Sequence, residues 1–221
     1  RAEAYQAYWE HQPIRAVPED GSLRLYRNVQ WGSLADFIVL DGRQYRSDQA
    51  CGGSVLGNNV AQHCDDRTDP ARTMLGAEQL AWLGDSLAAE RGRWSIVANQ
   101  TILTPMPFGS YFNQDQWDGY DAERSAVLAM LAQVRNPVVL TGDMHVAGIG
   151  QVREEPAASP VVATELIATS ITSATSAAEA TLIHNVGSGL PQFTWFNGLE
   201  RGYCRAEITA EAFDVDYVVV D

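Results

Sequence analysis

Three short apolar runs break off into polar residues in the same way. Pro137-Val138-Val139-Leu140-Thr141 stops at Gly142-Asp143-Met144-His145, Phe37-Ile38-Val39-Leu40 runs into Asp41-Gly42-Arg43-Gln44-Tyr45-Arg46, and Trp94-Ser95-Ile96-Val97-Ala98 runs into Asn99-Gln100. Apolar, β-branched stretches of this length suit strands buried on both faces of a parallel sheet. Between them the period changes to that of helices. Gly76 and Gln79 fit an N-cap and N3 pair opening a helix whose Leu80, Leu83 and Leu87 share a face, ended near Gly92. Asp121 can cap a second helix, with Val127, Leu131 and Val134 inward and Asn136-Pro137 as its stop. Strand, helix, strand, helix, strand is the order that yields parallel pairing by crossover. Residues 1–11 read as the end of a helix carrying Tyr5, Tyr8 and Trp9, stopped by Pro13. Beyond Pro156 the pattern becomes β-rich from Val161 to Ile171. Tyr203 to Asp221 then reads as two alternating strands joined near Thr209-Ala210-Glu211, with Phe213, Val215, Tyr217 and Val219 on one face, an antiparallel finish to a mixed sheet. The Ala/Ser/Thr-rich stretch from Ala168 to Thr181 is low in charge and reads as mobile. There is no internal repeat.

Composition narrows this to one α/β domain over residues 1–221. The chain is 46% hydrophobic with six Trp, enough for one sizeable core. A net charge of −13 and a pI near 4.6 argue against a nucleic-acid or anionic-membrane partner held through a general basic field. No apolar run is long enough to span a bilayer and no signal peptide stands at Arg1, as would also hold for a mature secreted chain.

The strand ends carry the candidate chemistry. Residues i and i+2 of an extended segment point the same way, so Asp143 and His145 can reach one ion or two adjacent ions together. If the three strands are parallel neighbours, one rim collects Asp41, Arg43, Arg46, Asn99, Gln100, Asp143 and His145. Carboxylate, imidazole and amide oxygen are ordinary metal ligands, and a guanidinium binds phosphate oxygens bidentately. Metal-assisted chemistry on a phosphate ester is the natural reading. Asp41 and Arg43 can instead pair with each other, and Arg46 and Arg72 tie loops together. Trp117-Asp118-Gly119-Tyr120 is either a lid over the substrate or an aromatic plug with a turn. Cys51 and Cys64 bracket a Gly/Asn/Ser-rich loop. A disulfide there would contribute about 3 kcal/mol on the chain-entropy model, and the competing reading is a zinc site with His63. Cys204 reads as a buried thiol, and His11, His63 and His184 as surface or supporting residues.

The same segments resemble the PhoD-like alkaline phosphatases, a branch of the calcineurin-like metallophosphoesterases that also holds phosphodiesterases and enzymes of phospholipase D type. The matching pieces run in order: residues 1–15 (RAEAYQAYWEHQPIR), Trp31-Gly32, LDGRQYR from Leu40, ARTMLGAEQLAWL from Ala71, RWSIVANQ from Arg93, WDGYDAER from Trp117, VVLTGDMH from Val138 and FNGLERGYCRAEIT from Phe196. The resemblance implies a calcineurin-like sandwich of mixed sheets flanked by helices, of which this is a C-terminal portion. It implies a secreted enzyme, extracellular or periplasmic, that hydrolyses phosphate monoesters or diesters with several metal ions, calcium together with iron. Asp143 and His145 would hold part of the ion cluster and act in catalysis, Asn99, Gln100 and Asp41 would add ligands, and Arg43 would steady the phosphate during in-line attack by a metal-activated water. Trp117, Asp118 and Tyr120, with the Ser/Thr run near the site, would contact the substrate. The family's earlier metal motifs, a GDP-type aspartate, a second strand-end aspartate and a DDHE-type loop, have no counterpart in these residues. The expected partners are therefore a phosphate ester and an upstream segment of the same protein; the alternatives are a phospholipase D-type diesterase and a fragment that is non-catalytic without that segment.

Overall fold

The computed structural model describes residues 2–16, 18, 22–52, 60–156, 158–173 and 175–220. Its strands are β1 (Arg27–Trp31), β2 (Ala35–Val39), β3 (Val60–Gln62), β4 (Trp94–Ala98), β5 (Tyr111–Asn113), β6 (Pro137–Thr141), β7 (Ala147–Val152), β8 (Ala163–Ile167), β9 (Phe193–Asn197), β10 (Gly202–Ile208) and β11 (Phe213–Val219), and its helices α1 (Ala2–His11), α2 (Ala77–Ala88), α3 (Asp121–Leu131) and α4 (Ala177–Gly189). Seven strands form one mixed sheet in the order β1-β2-β4-β6-β8-β7-β9. Its middle four, β2, β4, β6 and β8, are mutually parallel, while β1, β7 and β9 pair antiparallel. The expected α/β arrangement of a mixed sheet flanked by helices is what the chain adopts.

Alternation along β4 divides the molecule into layers. Val97 joins Ile38, Leu40 and Val139 in packing against Leu83 and Leu87 of α2 and Val127, Leu128 and Leu131 of α3. Burial of each such side chain is worth about 1.5–3 kcal/mol, so this cluster is the main source of stability. Trp94, an odd number of residues away, points to the opposite face. There its ring meets Phe213 at 5.5 Å and its indole N–H donates to the Thr209 carbonyl at 2.7 Å. The β10–β11 ribbon thus lies across the second face, fixed at its other end by Tyr217, whose hydroxyl donates to the Gly148 carbonyl and whose ring packs on Trp195. The hairpin follows the sequence pattern, with Phe213, Val215 and Tyr217 on the more covered face, but Val219 is exposed. The hairpin closes a small second sheet, however, and the antiparallel finish of the main sheet comes from β9 and from β7, whose glycines hide its period.

Several local expectations change. Gly76 does stand at the start of α2, but because of its left-handed φ of +76° and the Tyr45 Cβ pressed within 3.0 Å of where its own would be. Gln79 is not its capping partner: it is buried and exchanges backbone hydrogen bonds with Asp41. Asp121 is the first residue of α3 rather than its cap, and Val134 lies beyond the helix while still packing on the core. The stretch from Ala168 divides, its second half forming α4 with Ser176 as N-cap, whose hydroxyl accepts from Glu179 N–H. Gly187 of that helix leaves room for the Phe196 ring, which would lie 2.4 Å from an added Cβ. Cys51 and Cys64 are joined by a disulfide, which removes both sulfurs from any zinc site with His63. Cys204 is only partly buried; burial raises its pKa, against a side-chain interaction with Tyr217. Among the described residues no helix is long and apolar enough to cross a membrane.

Candidate functional site

Because β2, β4, β6 and β8 run parallel and in register, their carboxyl ends open on one edge, the usual place for chemistry in such sheets. The turn after β6 carries Asp143 exposed at that edge. Asp143 has φ +72° and His145 φ +55°, the left-handed region that L-residues enter at a cost of roughly 1–2 kcal/mol each. Such conformations persist only where the surroundings impose them, and they concentrate at functional turns. Here the surroundings are visible. Met144 N–H donates to the Gly142 carbonyl at 2.9 Å, Arg201 Nη1 donates to the His145 carbonyl at 3.3 Å, and the Asn113 amide reaches the Met144 sulfur at 3.8 Å.

Facing this turn is a pair of arginines from the loop after β2. Arg43 Nη2 lies 3.4 Å from Asp143 Oδ1, and its Nη1 lies 2.6 Å from Asp115 Oδ2. Arg46 Nη1 sits 2.7 Å from the other oxygen of Asp115, which also accepts from Gln49 at 3.0 Å. Burial pulls Asp115 toward the neutral acid, but Arg43, Arg46 and Gln49 outweigh it and hold its pKa below the ordinary carboxylate value. The Arg43 guanidinium thus reaches across the rim to Asp115 and Asp143, while Asp41 takes the Arg43 backbone N–H. Arg46 and Arg72 tie loops together as expected, Arg72 donating to the Asp48 carbonyl.

The remaining sequence candidates are brought to the edge but turned inward. Both oxygens of Asp41 are occupied, Oδ1 by the N–H groups of Arg43 and Gln44 and Oδ2 by the Gln44 amide, so this carboxylate shapes the turn. Asn99 is buried, donating to the Thr101 carbonyl and accepting from the Trp117 indole at 3.3 Å. The Gln100 amide staples the β2 and β4 ends, accepting from Gly42 N–H at 2.8 Å and donating to the Leu40 carbonyl at 2.7 Å. All three amide or carboxylate groups act as scaffolding for the rim. The lid expectation for Trp117, Asp118 and Tyr120 fails outright. Trp117 is 1% and Tyr120 0% exposed, the Tyr120 hydroxyl donates to the Ser47 carbonyl, and the segment is the plug of the alternative reading. Burial pushes Asp118 up to about 6, although Met106 N–H, Arg67 and Arg124 pull the other way.

Three participants escaped the sequence. Asp115 stands in a polar loop with nothing to distinguish it. Arg201 lies far along the chain from the turn it braces. Glu165 did leave a sign, as the lone charge inside an apolar run: fully buried, it accepts from Leu103 N–H, Thr104 N–H and the Thr141 hydroxyl and so anchors the loop after β4 to the end of β6.

Beside Arg43 a cavity of about 560 Å³ opens under α1, lined largely by Tyr5, Tyr8, Ile14, Leu25, Val39 and Leu40. For a metal, Asp143 and His145 offer a carboxylate and an imidazole on one turn, a suitable donor pair. Among the described residues no cluster of three or more His, Cys, Asp or Glu side chains completes a site.

The mixed sheet with parallel strands ending at one rim places the chain in the α/β class, and sequence comparison makes the class specific. The PhoD-like phosphatase family matches residues 1–217, and the chain belongs to that family. It is 36% identical over 231 residues to alkaline phosphatase D of Bacillus subtilis (strain 168), covering 100% of this chain and 39% of that protein. A solved structure described as "Structure of PhoD" superposes with a TM-score of 0.86 at 35% identity, covering 99% of this chain and 43% of that one. The chain thus spans about two fifths of the length of these relatives.

Proposed function

We propose that this protein hydrolyses phosphate esters at the rim formed by Arg43, Asp143 and His145. The observation that carries the reading is the guanidinium of Arg43 held at the mouth of the strained Asp143–His145 turn, and the likeness to a protein named alkaline phosphatase D supports it. Arg43 binds and orients the phosphate through charge-assisted hydrogen bonds, loosening its long contact to Asp143 as substrate enters. Asp143 and His145 would hold part of a metal site, for which we propose calcium and iron; ions bound there supply an activated water and neutralise charge on phosphate oxygens. A full ligand set needs more donors than Asp143 and His145, since no cluster of three or more His, Cys, Asp or Glu stands among the described residues, and we propose that an upstream segment of the same protein supplies them. The Cys51–Cys64 disulfide supports an oxidising, extracellular or periplasmic location.

The apolar lining of the cavity beside Arg43 favours a second reading, a phospholipase D-type diesterase whose second alcohol lies against Tyr5, Tyr8 and Leu25. Measuring kcat/KM for an aryl monophosphate, its diester and a lysophospholipid in the protein at its natural length separates the two. Monoester preference supports the phosphatase and diester preference the diesterase; turnover of none, with metals supplied, overturns the proposal. Full turnover by residues 1–221 alone, with the mass verified, would refute the need for outside donors.

A further inference from the structure

We infer that Asp115 is the positioning residue that sets the phosphate-binding guanidinium of Arg43, an inference that rests on the reading of Arg43 given above. The carboxylate divides its oxygens between the two arginines, Oδ2 to Arg43 at 2.6 Å and Oδ1 to Arg46 at 2.7 Å, with Gln49 adding a third donor. It is half-buried, and its contact to Arg43 is short, whereas that from Arg43 to Asp143 is 3.4 Å. The short contact to Asp115 thus fixes the guanidinium at the mouth of the Asp143–His145 turn.

The platform under Asp115 is itself fixed. Its backbone N–H donates to Asn113 Oδ1 at 3.0 Å, its carbonyl accepts from Arg46 at 3.2 Å, and two residues on the Trp117 indole is bonded to Asn99 at the end of β4. Asn113 also touches Met144, inside the turn that Arg43 faces. One short segment thereby sets the distance between the cation and the Asp143–His145 turn. Without the Asp115 charge, Arg43 and Arg46 would repel each other, and Arg43 would fall back on Asp143, the group it must release.

A double-mutant cycle on inorganic phosphate, measured by calorimetric binding and by competitive inhibition of aryl phosphate hydrolysis, tests this in the protein at its natural length. Asp115→Asn is expected to weaken phosphate by about tenfold, as loss of one charge-assisted contact does, Arg43→Ala by at least as much, and the double variant no more than Arg43→Ala alone. Asp115→Glu should recover part of the loss, and it runs the same cycle should Asp115→Asn not fold. Unchanged phosphate affinity in Asp115→Asn, or a loss that adds undiminished to that of Arg43→Ala, overturns the inference while leaving Arg43 in place. Unchanged affinity in Arg43→Ala removes both the phosphate role of Arg43 and the inference.

Discussion

Two loops at the same sheet edge, each carrying aspartate, have opposite environments. The Gly142–His145 turn keeps Asp143 43% exposed on its side chain and holds two residues in left-handed backbone. The segment from Asp115 to Tyr120 instead sinks Trp117, Asp118 and Tyr120 into the core between the rim and α3. The difference lies in the aromatic side chains, whose burial outweighs the cost of taking Asp118 with them. The turn after β6 has only Met144 to pack on the core, and Asp143 beside it stays exposed.

That contrast can be broken most severely at Trp117. Trp117→Ala should cost about 3–5 kcal/mol in denaturant unfolding, since it empties a fully buried site. A loss below 1 kcal/mol would return the segment to the role of a lid. Next in size, His145→Ala or Asp143→Asn should lower turnover by about 100-fold or more, as loss of one preorganised charge-stabilising group does, with little change in melting temperature. Unaltered turnover and unaltered bound metal in both variants would remove this turn from the site.

The third test uses pH. Burial raises the folded pKa of Asp118 to about 6, above its unfolded value of 3.8, so the folded state binds this proton more tightly. Its contribution to stability is fully present below 3.8 and is lost as pH rises from there through about 6, on the order of 3 kcal/mol across that window. Asp118→Asn should flatten the difference. An identical pH dependence in the variant, measured by urea unfolding at pH 4, 5, 6 and 7, would contradict the assignment. Asp115 has the opposite sign, its lowered pKa giving stability that disappears only as pH falls through the carboxylate range. The smallest effect is expected for Tyr120→Phe, about 1 kcal/mol for the hydrogen bond to Ser47. Wild-type kcat with reduced stability would separate the plug from the active turn.

The pattern of apolar runs was enough to show the parallel strands β2, β4 and β6, the helices between them and the common edge at which they end. Local chemistry and spacing carry that information, because a buried parallel strand must be continuously apolar and a crossover helix must show its own period. The resemblance carried by LDGRQYR, VVLTGDMH and their neighbours reached the family for the same reason, since each motif is contiguous in the chain. What no segment contained was the partner of each polar group. Whether Arg43 pairs with Asp41 or reaches Asp115, whether Asn99 faces outward or bonds Trp117, and whether WDGY covers the site or fills the core depend on residues up to 100 positions apart. Those choices follow from which side chains find burial and which charges find a counter-charge once the layers close, and only the tertiary structure decides them.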